Sequence, residues 1–265
     1  MLGWLPRGLR SGKVTTAYPR RPERPPAGFQ GPVRLVAAQA SRAGLDQLCP
    51  TAAIAVDPAG RLSLDRGRCI HCGACVRAAP DHFTFEDRFE SAAASRGELV
   101  QTGSCDRDRQ VPGARLTGAR RALGDQARAL RRSVHVRHVD TGSDGAEEWE
   151  IQALWSPYYD IQRLGFFLTS SPRHADILLV TGGVTAPMKA PLERTWELMP
   201  EPKSLVAVGT DACSGGLVDG AGLVAGGVDR VLPVDVYIPG SPPSPIALLD
   251  GLLLAVGLLR DGDSR

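Results

Sequence analysis

The sequence has little of several features that mark common classes of protein. It contains six cysteines among 265 residues, which is too few for the disulfide scaffold of a secreted protein of this size. The formal net charge is only +2, and no long basic stripe is present, so the electrostatic signature of a nucleic-acid-binding protein is missing. A composition of 43% hydrophobic and 23% charged residues argues against wholesale disorder.

No apolar run is long enough to span a membrane. The longest, from Ile246 to Leu259, has 14 residues and includes Asp250, whereas a spanning helix needs about 20 apolar residues. The short apolar run at the amino terminus is followed at once by proline and arginine, unlike a secretory signal. We therefore expect a protein of the reducing cytoplasm with no transmembrane segment of its own.

Shifts in composition divide the chain into four segments. Residues 1–32 are rich in arginine and proline and predict an extended cationic arm, either a disordered tail or an arm lying along a partner or an anionic membrane surface. Residues 33–95 hold four of the cysteines and look compact. Residues 96–132 are polar and arginine-rich, as expected of a helical connector. Residues 133–265 are the fourth segment.

The fourth segment alternates between apolar runs and helical patterns. The runs predict buried parallel strands and lie at residues 134–140, 175–183, 204–209 and 229–236. Helical patterns cover residues 187–199 and 245–259. This alternation predicts an open, mostly parallel, flavodoxin-like α/β domain. In such sheets, sites form beyond the carboxyl ends of the strands, here in the loops around Gly182, Thr210 and Pro239.

Three cysteines follow the spacing of an iron–sulfur motif. Cys69, Cys72 and Cys75 match the bacterial ferredoxin run C-x2-C-x2-C-x3-C-P, except that Ala79 stands where the last cysteine belongs. In two-cluster ferredoxins the last cysteine of each run binds the cluster of the other run, so an upstream Cys-Pro pair is expected. Cys49, which precedes a proline, meets this expectation.

The other cluster of such a pair has lost its ligands. Counting back from Cys49 by the same spacing places Gln39, Arg42 and Leu45 where three cysteines would stand. One ligand set is therefore complete and the other is wholly absent. The pattern predicts one [4Fe–4S] cluster, held by Cys49, Cys69, Cys72 and Cys75. The alternative is a zinc ion on the same four thiolates.

Residues 10–95 resemble the dicluster ferredoxin subunits of respiratory complex I and of membrane-bound [NiFe] hydrogenases. The resemblance is carried by the cysteine motif and by two preceding stretches, Thr15–Pro19 and the Phe-Gln-Gly-Pro sequence that begins at Phe29. It implies that residues 33–95 form a ferredoxin-like α+β iron–sulfur domain from which one of two clusters has been deleted.

Residues 133–260 resemble the small, cluster-bearing subunit of energy-converting membrane-bound [NiFe] hydrogenases, and the homologous subunit next to the quinone site of complex I. The matching stretches recur in order and begin at Ser133, Tyr158, Ser171, Met199 and Val234. The two resemblances together imply a fusion of two subunits that are usually separate.

The second resemblance also implies that a cluster site has degenerated. The family binds a [4Fe–4S] cluster through four cysteines, and those positions fall here on Asp144, Glu147, Asp211 and Ser241. None is a cysteine, so we expect no cluster at this site. The replacements are solvated loop residues, or a site for a hard cation such as Mg²⁺, Ca²⁺ or Mn²⁺, or crowded carboxyls that carry protons.

The resemblances imply an electron-transfer subunit of a membrane-associated oxidoreductase complex, not catalytic alone. Its expected partners are a large-subunit homologue of hydrogenase or complex I and the membrane-embedded subunits of the same complex, which would hold it at the cytoplasmic membrane. A different hypothesis is a structural or coupling subunit, whose cluster staples the fold or senses redox state without a continuous electron wire. A third is an enzyme that uses the new carboxylate site.

Overall fold

The computed structural model describes residues 4–41, 43–103, 124–125 and 133–258. In this part of the chain two small antiparallel sheets are followed by one parallel sheet. We call residues 33–103 the cysteine half and residues 133–258 the sheet half. No helix within the described residues is long and apolar enough to cross a membrane.

The cysteine half contains both antiparallel sheets. Strand β1 (Val33–Leu35) pairs with β4 (Phe83–Phe85), and β3 (Leu62–Asp65) lies between β2 (Ile54–Val56) and β5 (Val100–Thr102). Buried side chains of these strands, including Leu35, Leu62, Leu64 and Phe83, form a core of their own. Short strands around a small core leave the connecting loops to carry the cysteines.

The sheet half is built on a five-stranded parallel sheet. Its strands are β6 (Val134–Asp140), β7 (Phe166–Leu168), β8 (Ile177–Thr181), β9 (Ser204–Val208) and β10 (Val236–Ile238). They lie in the order β10–β9–β8–β6–β7, which is the flavodoxin-like order. All residues of β8 and β9 are buried, as expected of central parallel strands covered on both faces. The parallel α/β part of the predicted fold is therefore confirmed.

Helices lie on both sides of these sheets. In chain order they are α1 (Trp4–Ser11), α2 (Ala74–Ala78), α3 (Ala146–Ala153), α4 (Ala186–Leu198), α5 (Gly209–Ser214) and α6 (Pro245–Ala255). The core on one face of the parallel sheet includes α6, and the core on the other includes residues of α4 and α5. The α6 helix begins where the Ser244 hydroxyl accepts a hydrogen bond from the Ala247 amide and Pro245 takes the first helical position.

One predicted strand in the sheet half is placed wrongly, and two elements of this half are not predicted. The apolar run at residues 229–236 is wrong as a strand: the chain forms a 3-10 turn at Val228–Arg230, and β10 begins only at Val236. Pro233 lies in that run and cannot donate a ladder hydrogen bond. The sequence pattern does not predict strand β7 or helix α3, because β7 has only three residues and the sequence of α3 lacks a clear apolar stripe.

The predicted extended arm is partly helical and is anchored. Residues Trp4–Ser11 form α1, and Tyr18 is buried against the core of the sheet half. The Tyr18 hydroxyl donates a hydrogen bond to Asp250 at 3.0 Å, and the Arg163 guanidinium donates to the Tyr18 carbonyl at 2.6 Å. The arm therefore contributes a side chain to a core, because the tyrosine ring can be buried while its hydroxyl finds a partner.

The predicted connector at residues 96–132 lies mostly outside the described residues. Where it is described, Arg96–Leu99 forms a 3-10 turn and the following β5 strand pairs with β3. The first residues of this segment thus belong to the cysteine half. Their polar composition reflects an exposed edge strand rather than a linker.

Candidate metal centre

Four cysteines of the cysteine half line one pocket. Cys49 and Cys69 each end a 3-10 turn, Cys75 lies in α2, and Cys72 lies in the loop before that helix. The structure thus brings together the four residues that the sequence predicts as ligands of one cluster.

The rest of the pocket wall is largely apolar. Its aliphatic members include Val33, Leu48, Ala53, Ile54 and Leu64. Cys69 and Cys75 are 7% and 8% exposed, whereas Cys72 is exposed. The pocket is therefore shielded from water on most sides and open at the corner that Cys72 occupies.

The loop between Cys69 and Cys75 turns sharply because two residues adopt left-handed backbone conformations. His71 has φ +54° and Gly73 has φ +69°. A Cβ atom at Gly73 would lie 2.9 Å from the Phe85 ring and 3.0 Å from the Arg77 guanidinium. Glycine is needed at position 73 because of its left-handed φ and because a Cβ atom would be crowded. The turn brings Cys72 and Cys75 to the same pocket.

The Cys49 sulfur has two hydrogen-bond donors beside it. The Ala53 amide donates to Cys49 Sγ at 3.2 Å, and the Thr51 hydroxyl lies 3.4 Å from the same sulfur. Donors of this kind stabilise a thiolate and tune the potential of a bound cluster. They are suited to an iron-bound sulfur, because a thiolate accepts hydrogen bonds more strongly than a neutral thiol does.

The neighbouring sulfurs also disfavour ionisation of the two buried cysteines, Cys69 and Cys75. Burial raises the pKa of the Cys69 thiol to about 12, and the charges of Cys75, Cys49 and Cys72 act in the same direction. Burial likewise raises the pKa of the Cys75 thiol. Four thiolates gathered in one pocket need a positive centre to be stable together, which bonding to iron would supply.

The spacing of these thiols bears on the zinc alternative. No group of three or more His, Cys, Asp or Glu side chains among the described residues could hold a single metal ion. Four sulfurs around one zinc, each about 2.3 Å from it, would stand only about 4 Å apart. A [4Fe–4S] cluster bonds each thiolate to a different iron and needs a wider spacing. Four cysteines suit either a [4Fe–4S] cluster or zinc, and the ferredoxin spacing of Cys69, Cys72 and Cys75 favours the cluster.

The loop that carries Cys69 contacts the carboxyl edge of the parallel sheet. The Thr210 hydroxyl lies 3.1 Å from both the Cys69 and the Gly240 carbonyl oxygens, and Thr210 is completely buried. Arg68 and Asp219 form an ion pair at 2.7 Å across the same boundary. The predicted site loop around Thr210 therefore contacts Cys69, a predicted cluster ligand of the other half.

Three of the four residues at the predicted degenerate site lie close together. Asp144 precedes α3, Glu147 lies in its first turn, and Asp211 lies in α5 beyond the end of β9. Glu147 is only 3% exposed, and its Oε2 atom has no hydrogen-bond partner. Its side chain packs on Gly209, where a Cβ atom would lie 2.8 Å from Glu147 Cδ.

The environment of this group favours the protonated forms of Glu147 and Asp211. Burial raises the pKa of Glu147 to about 7, and the nearby charges of Asp144, Asp211 and Glu148 act in the same direction. Burial and the charge of Asp144 also raise the pKa of Asp211. The charge of Asp144 thus disfavours ionisation of both Glu147 and Asp211. Within the described residues, the three carboxyls do not form a group that could hold one metal ion.

Ser241, the fourth predicted member, lies elsewhere. It is exposed and lines a cleft with His71 and Cys72, bounded also by Phe29 and Glu150. Ser241 is therefore a neighbour of the exposed corner of the cysteine pocket rather than of the carboxyl group.

Sequence reasoning missed the role of Ala53, and it named the loop around Thr210 without predicting its contact with Cys69. The Ala53 amide donates to a cysteine sulfur, and Thr210 bonds the cysteine loop to the sheet half. Every residue except proline has a backbone amide, so the sequence does not show which amide donates to a sulfur. Thr210 is 141 residues from its partner Cys69, so no local sequence pattern could have predicted this contact.

Comparison with known proteins finds a family match in each half. Residues 145–255 match the family described as NADH ubiquinone oxidoreductase, 20 kDa subunit. Residues 64–107 match the family described as the 4Fe-4S single cluster domain of ferredoxin I. The second match covers the Cys69–Cys75 motif and extends past the last described residue of the cysteine half.

Curated relatives match about half of this chain. Formate hydrogenlyase subunit 7 of Escherichia coli is 47% identical over 131 residues, which are 49% of this chain and 51% of that protein. The probable membrane-bound hydrogenase subunit mbhJ of Pyrococcus furiosus is 42% identical over 47% of this chain and 75% of its own length. A subunit of the NADH-quinone oxidoreductase of Geobacter metallireducens is 45% identical over 43% of this chain and 68% of its own length.

Proposed function

Since the chain belongs to the family of the 20 kDa subunit of NADH ubiquinone oxidoreductase, we propose that it is an electron-transfer subunit of a membrane-associated oxidoreductase complex. The complex would be similar to complex I or to a membrane-bound hydrogenase, as the names of the relatives suggest. One [4Fe–4S] cluster would be bound by Cys49, Cys69, Cys72 and Cys75. The observation that carries this proposal is that these four cysteines line one pocket.

The chain's own residues supply what such a cluster needs. When bound, the cluster accepts and donates one electron at a time. The Ala53 amide and the Thr51 hydroxyl stabilise the Cys49 thiolate, and the aliphatic wall excludes water from the buried cysteines. The exposed Cys72 corner, in the cleft beside His71, is the side from which a partner's redox centre would exchange electrons.

The chain would be a fusion of two subunits with a reduced set of clusters. Residues 33–95 would form a ferredoxin-like domain, and residues 133–265 a small-subunit-like domain. No second ferredoxin cluster is expected, because Gln39, Arg42, Leu45 and Ala79 cannot replace cysteine ligands. The description of the ferredoxin family as single-cluster supports this count.

The partners would be a large-subunit homologue and the membrane-embedded subunits of the same complex. The names of the relatives describe subunits of hydrogenase, formate hydrogenlyase and NADH-quinone oxidoreductase, which are assemblies rather than single chains. The protein would then be peripheral to the cytoplasmic membrane and held there by its partners.

A structural or coupling subunit is the second candidate function. It is favoured by one observation: the sheet half has Cys213 as its single cysteine, and that thiol lies in α5 and is completely buried. Asp144, Glu147 and Asp211 offer no thiolate for a cluster at the edge of the sheet. Electrons entering at Cys72 would then have no second cluster in this chain to reach.

The test is iron and acid-labile sulfide per chain in anaerobically purified protein, with electron paramagnetic resonance after dithionite reduction. We expect four irons per chain and one signal of a reduced cubane cluster. Zinc without iron would refute the electron-transfer function, and eight irons would refute the account of lost ligands. A cluster that dithionite cannot reduce would favour the structural candidate.

Two cysteine variants sharpen this test. Cys49→Ser removes a proposed ligand, and we expect it to lose most of the cluster. Cys213→Ala removes a buried thiol that is not a ligand and should keep the iron content of the wild type. Equal iron loss in both variants would mean that folding rather than ligation is being measured.

A further inference from the structure

Glu147 is a buried carboxyl group that accepts a hydrogen bond from its own backbone amide and leaves one oxygen unpartnered. It is 3% exposed, and its Oε2 atom is buried and unpartnered. Glu148, the next residue, is an instructive contrast, because it accepts hydrogen bonds from Ser143 and Thr181 and lies 3.5 Å from His138. Leaving a buried carboxylate unpartnered is costly, so the position is suited to the neutral, protonated form.

The charged groups around Glu147 are also acidic. Asp144, Asp211 and Glu148 act on it from the preceding loop, from α5 and from α3 itself. Asp250, on the packed helix α6, is engaged by the Tyr18 hydroxyl. Asp144 is exposed and Asp211 is half-buried, so these carboxyls lead from solvent to the buried one and offer a path for a proton.

Contacts connect Glu147 to the loop of the cysteine pocket. Its side chain lies directly on Gly209. The next residue, Thr210, donates its hydroxyl to the Cys69 carbonyl. The carboxyl group is thus separated from the Cys69 loop by one residue of α5, at the edge of a parallel sheet where this fold class places its sites.

We propose that Glu147 is a redox-linked proton site, which takes up one proton when the cluster on Cys49, Cys69, Cys72 and Cys75 accepts one electron. This inference rests on the proposed function. The electron comes from a one-electron donor, such as a partner's iron–sulfur cluster, and the proton comes from solvent past Asp144. One O–H bond of a hydronium ion in solvent breaks and one O–H bond forms on the Glu147 carboxylate, so the net charge of the chain with its cluster is unchanged.

The physical basis is electrostatic. Reduction adds one negative charge to the cluster, and a negative charge favours the protonated form of a nearby carboxyl. At an effective dielectric constant of about 20, a unit charge shifts a pKa by about one unit even across 10 Å. By linkage, the cluster's affinity for an electron falls as pH rises between the pKa values of the carboxyl in the oxidised and reduced protein.

The test is the midpoint potential of the cluster measured against pH in the full chain, from about pH 5 to pH 9. Within part of this range we expect the potential of the wild type to fall by up to about 59 mV for each tenfold drop in proton concentration. Glu147→Gln keeps the shape of the side chain but cannot bind the proton, and its potential should lose that slope.

Glu148→Gln is the matched control. It removes a carboxylate from the same helix, but from a residue whose oxygens are already hydrogen-bonded. We expect it to shift the potential while keeping the pH slope. Iron content and far-ultraviolet circular dichroism identify any variant that fails to fold, and Glu147→Asp, which retains a titratable group, should restore a slope.

A second readout follows the carboxyl itself. Infrared difference spectra of reduced minus oxidised protein should show the C=O band of a protonated carboxyl in the wild type, and Glu147→Gln should lack it. A loaded cluster with a flat potential in the wild type, or with the same slope in Glu147→Gln, overturns this inference and leaves the proposed function standing. Protein that binds no iron overturns both.

Discussion

The buried carboxyl of Glu147 depends on the absence of a side chain at position 209. Gly209 has φ +88°, and a Cβ atom there would meet the Glu147 side chain. We expect Gly209→Ala to lower the free energy of unfolding by about 1–3 kcal/mol, because alanine is strained at this φ and the carboxyl must move. The measurement is urea denaturation followed by circular dichroism.

Gly97→Ala serves as its control. A Cβ atom at Gly97 meets nothing within 4 Å, and this glycine has no left-handed φ. The substitution should change stability by less than about 1 kcal/mol. If both variants lose equal stability, the packing of Glu147 on Gly209 does not explain the result.

The cysteines and Glu147 differ in how far the sequence could predict them. The logic of ferredoxin ligand exchange points to Cys49, and this residue does line the pocket with Cys69, Cys72 and Cys75. In a reducing compartment, cysteines at short regular spacings are most often metal ligands. Glu147 stands in a run of acidic residues, and such a run gives no sign of which member is buried.

Among the elements, buried strands were predictable and peripheral ones were not. The apolar runs at Ile177–Thr181 and Ser204–Val208 are central strands, because only a fully covered position tolerates a nearly unbroken apolar run. Helix α3 escaped prediction because its polar residues and Trp149, which is 73% exposed, hide the helical period. Tertiary contacts rather than periodicity hold this helix in place.

The burial of Asp250 in helix α6, beside the arm, makes stability depend on pH. Burial raises the pKa of Asp250 from 3.8 to about 7, and the Tyr18 hydroxyl and Arg88 lower it by less. The folded state therefore binds this proton more tightly than the unfolded state. The resulting stability is fully present below about pH 4 and is lost as pH rises through about 7.

Asp250→Asn isolates this group. Asparagine keeps an oxygen that accepts from Tyr18 and has no proton to lose, so we expect the variant to gain about 1–3 kcal/mol relative to the wild type at pH 8. The gain should shrink towards zero near pH 4. Urea unfolding of both proteins at a series of pH values measures it, and a gain that stays constant with pH would contradict the assignment.

The whole molecule is held together by cores that cross the boundary between its halves. Phe89 and Ala92 of the cysteine half pack on the core that contains α6, while Ala93 and Leu99 belong to the core on the other face of the sheet. Ala93 also forms a bridge with Tyr237 of β10. A hydrophobic core that both halves share couples their stabilities, so the two halves should not unfold separately.

Amide hydrogen exchange tests this coupling in the cluster-loaded chain. We expect peptides covering β3 and β8 to open with the same free energy, since the stability of each half depends on the shared cores. Anaerobic removal of iron by a chelator should lower the protection of both peptides, because the Cys69 loop is bonded through Thr210 to the sheet half. If β3 loses protection while β8 keeps it, the halves are independent domains. The separation between Glu147 and the cluster would then not be fixed by a rigid contact.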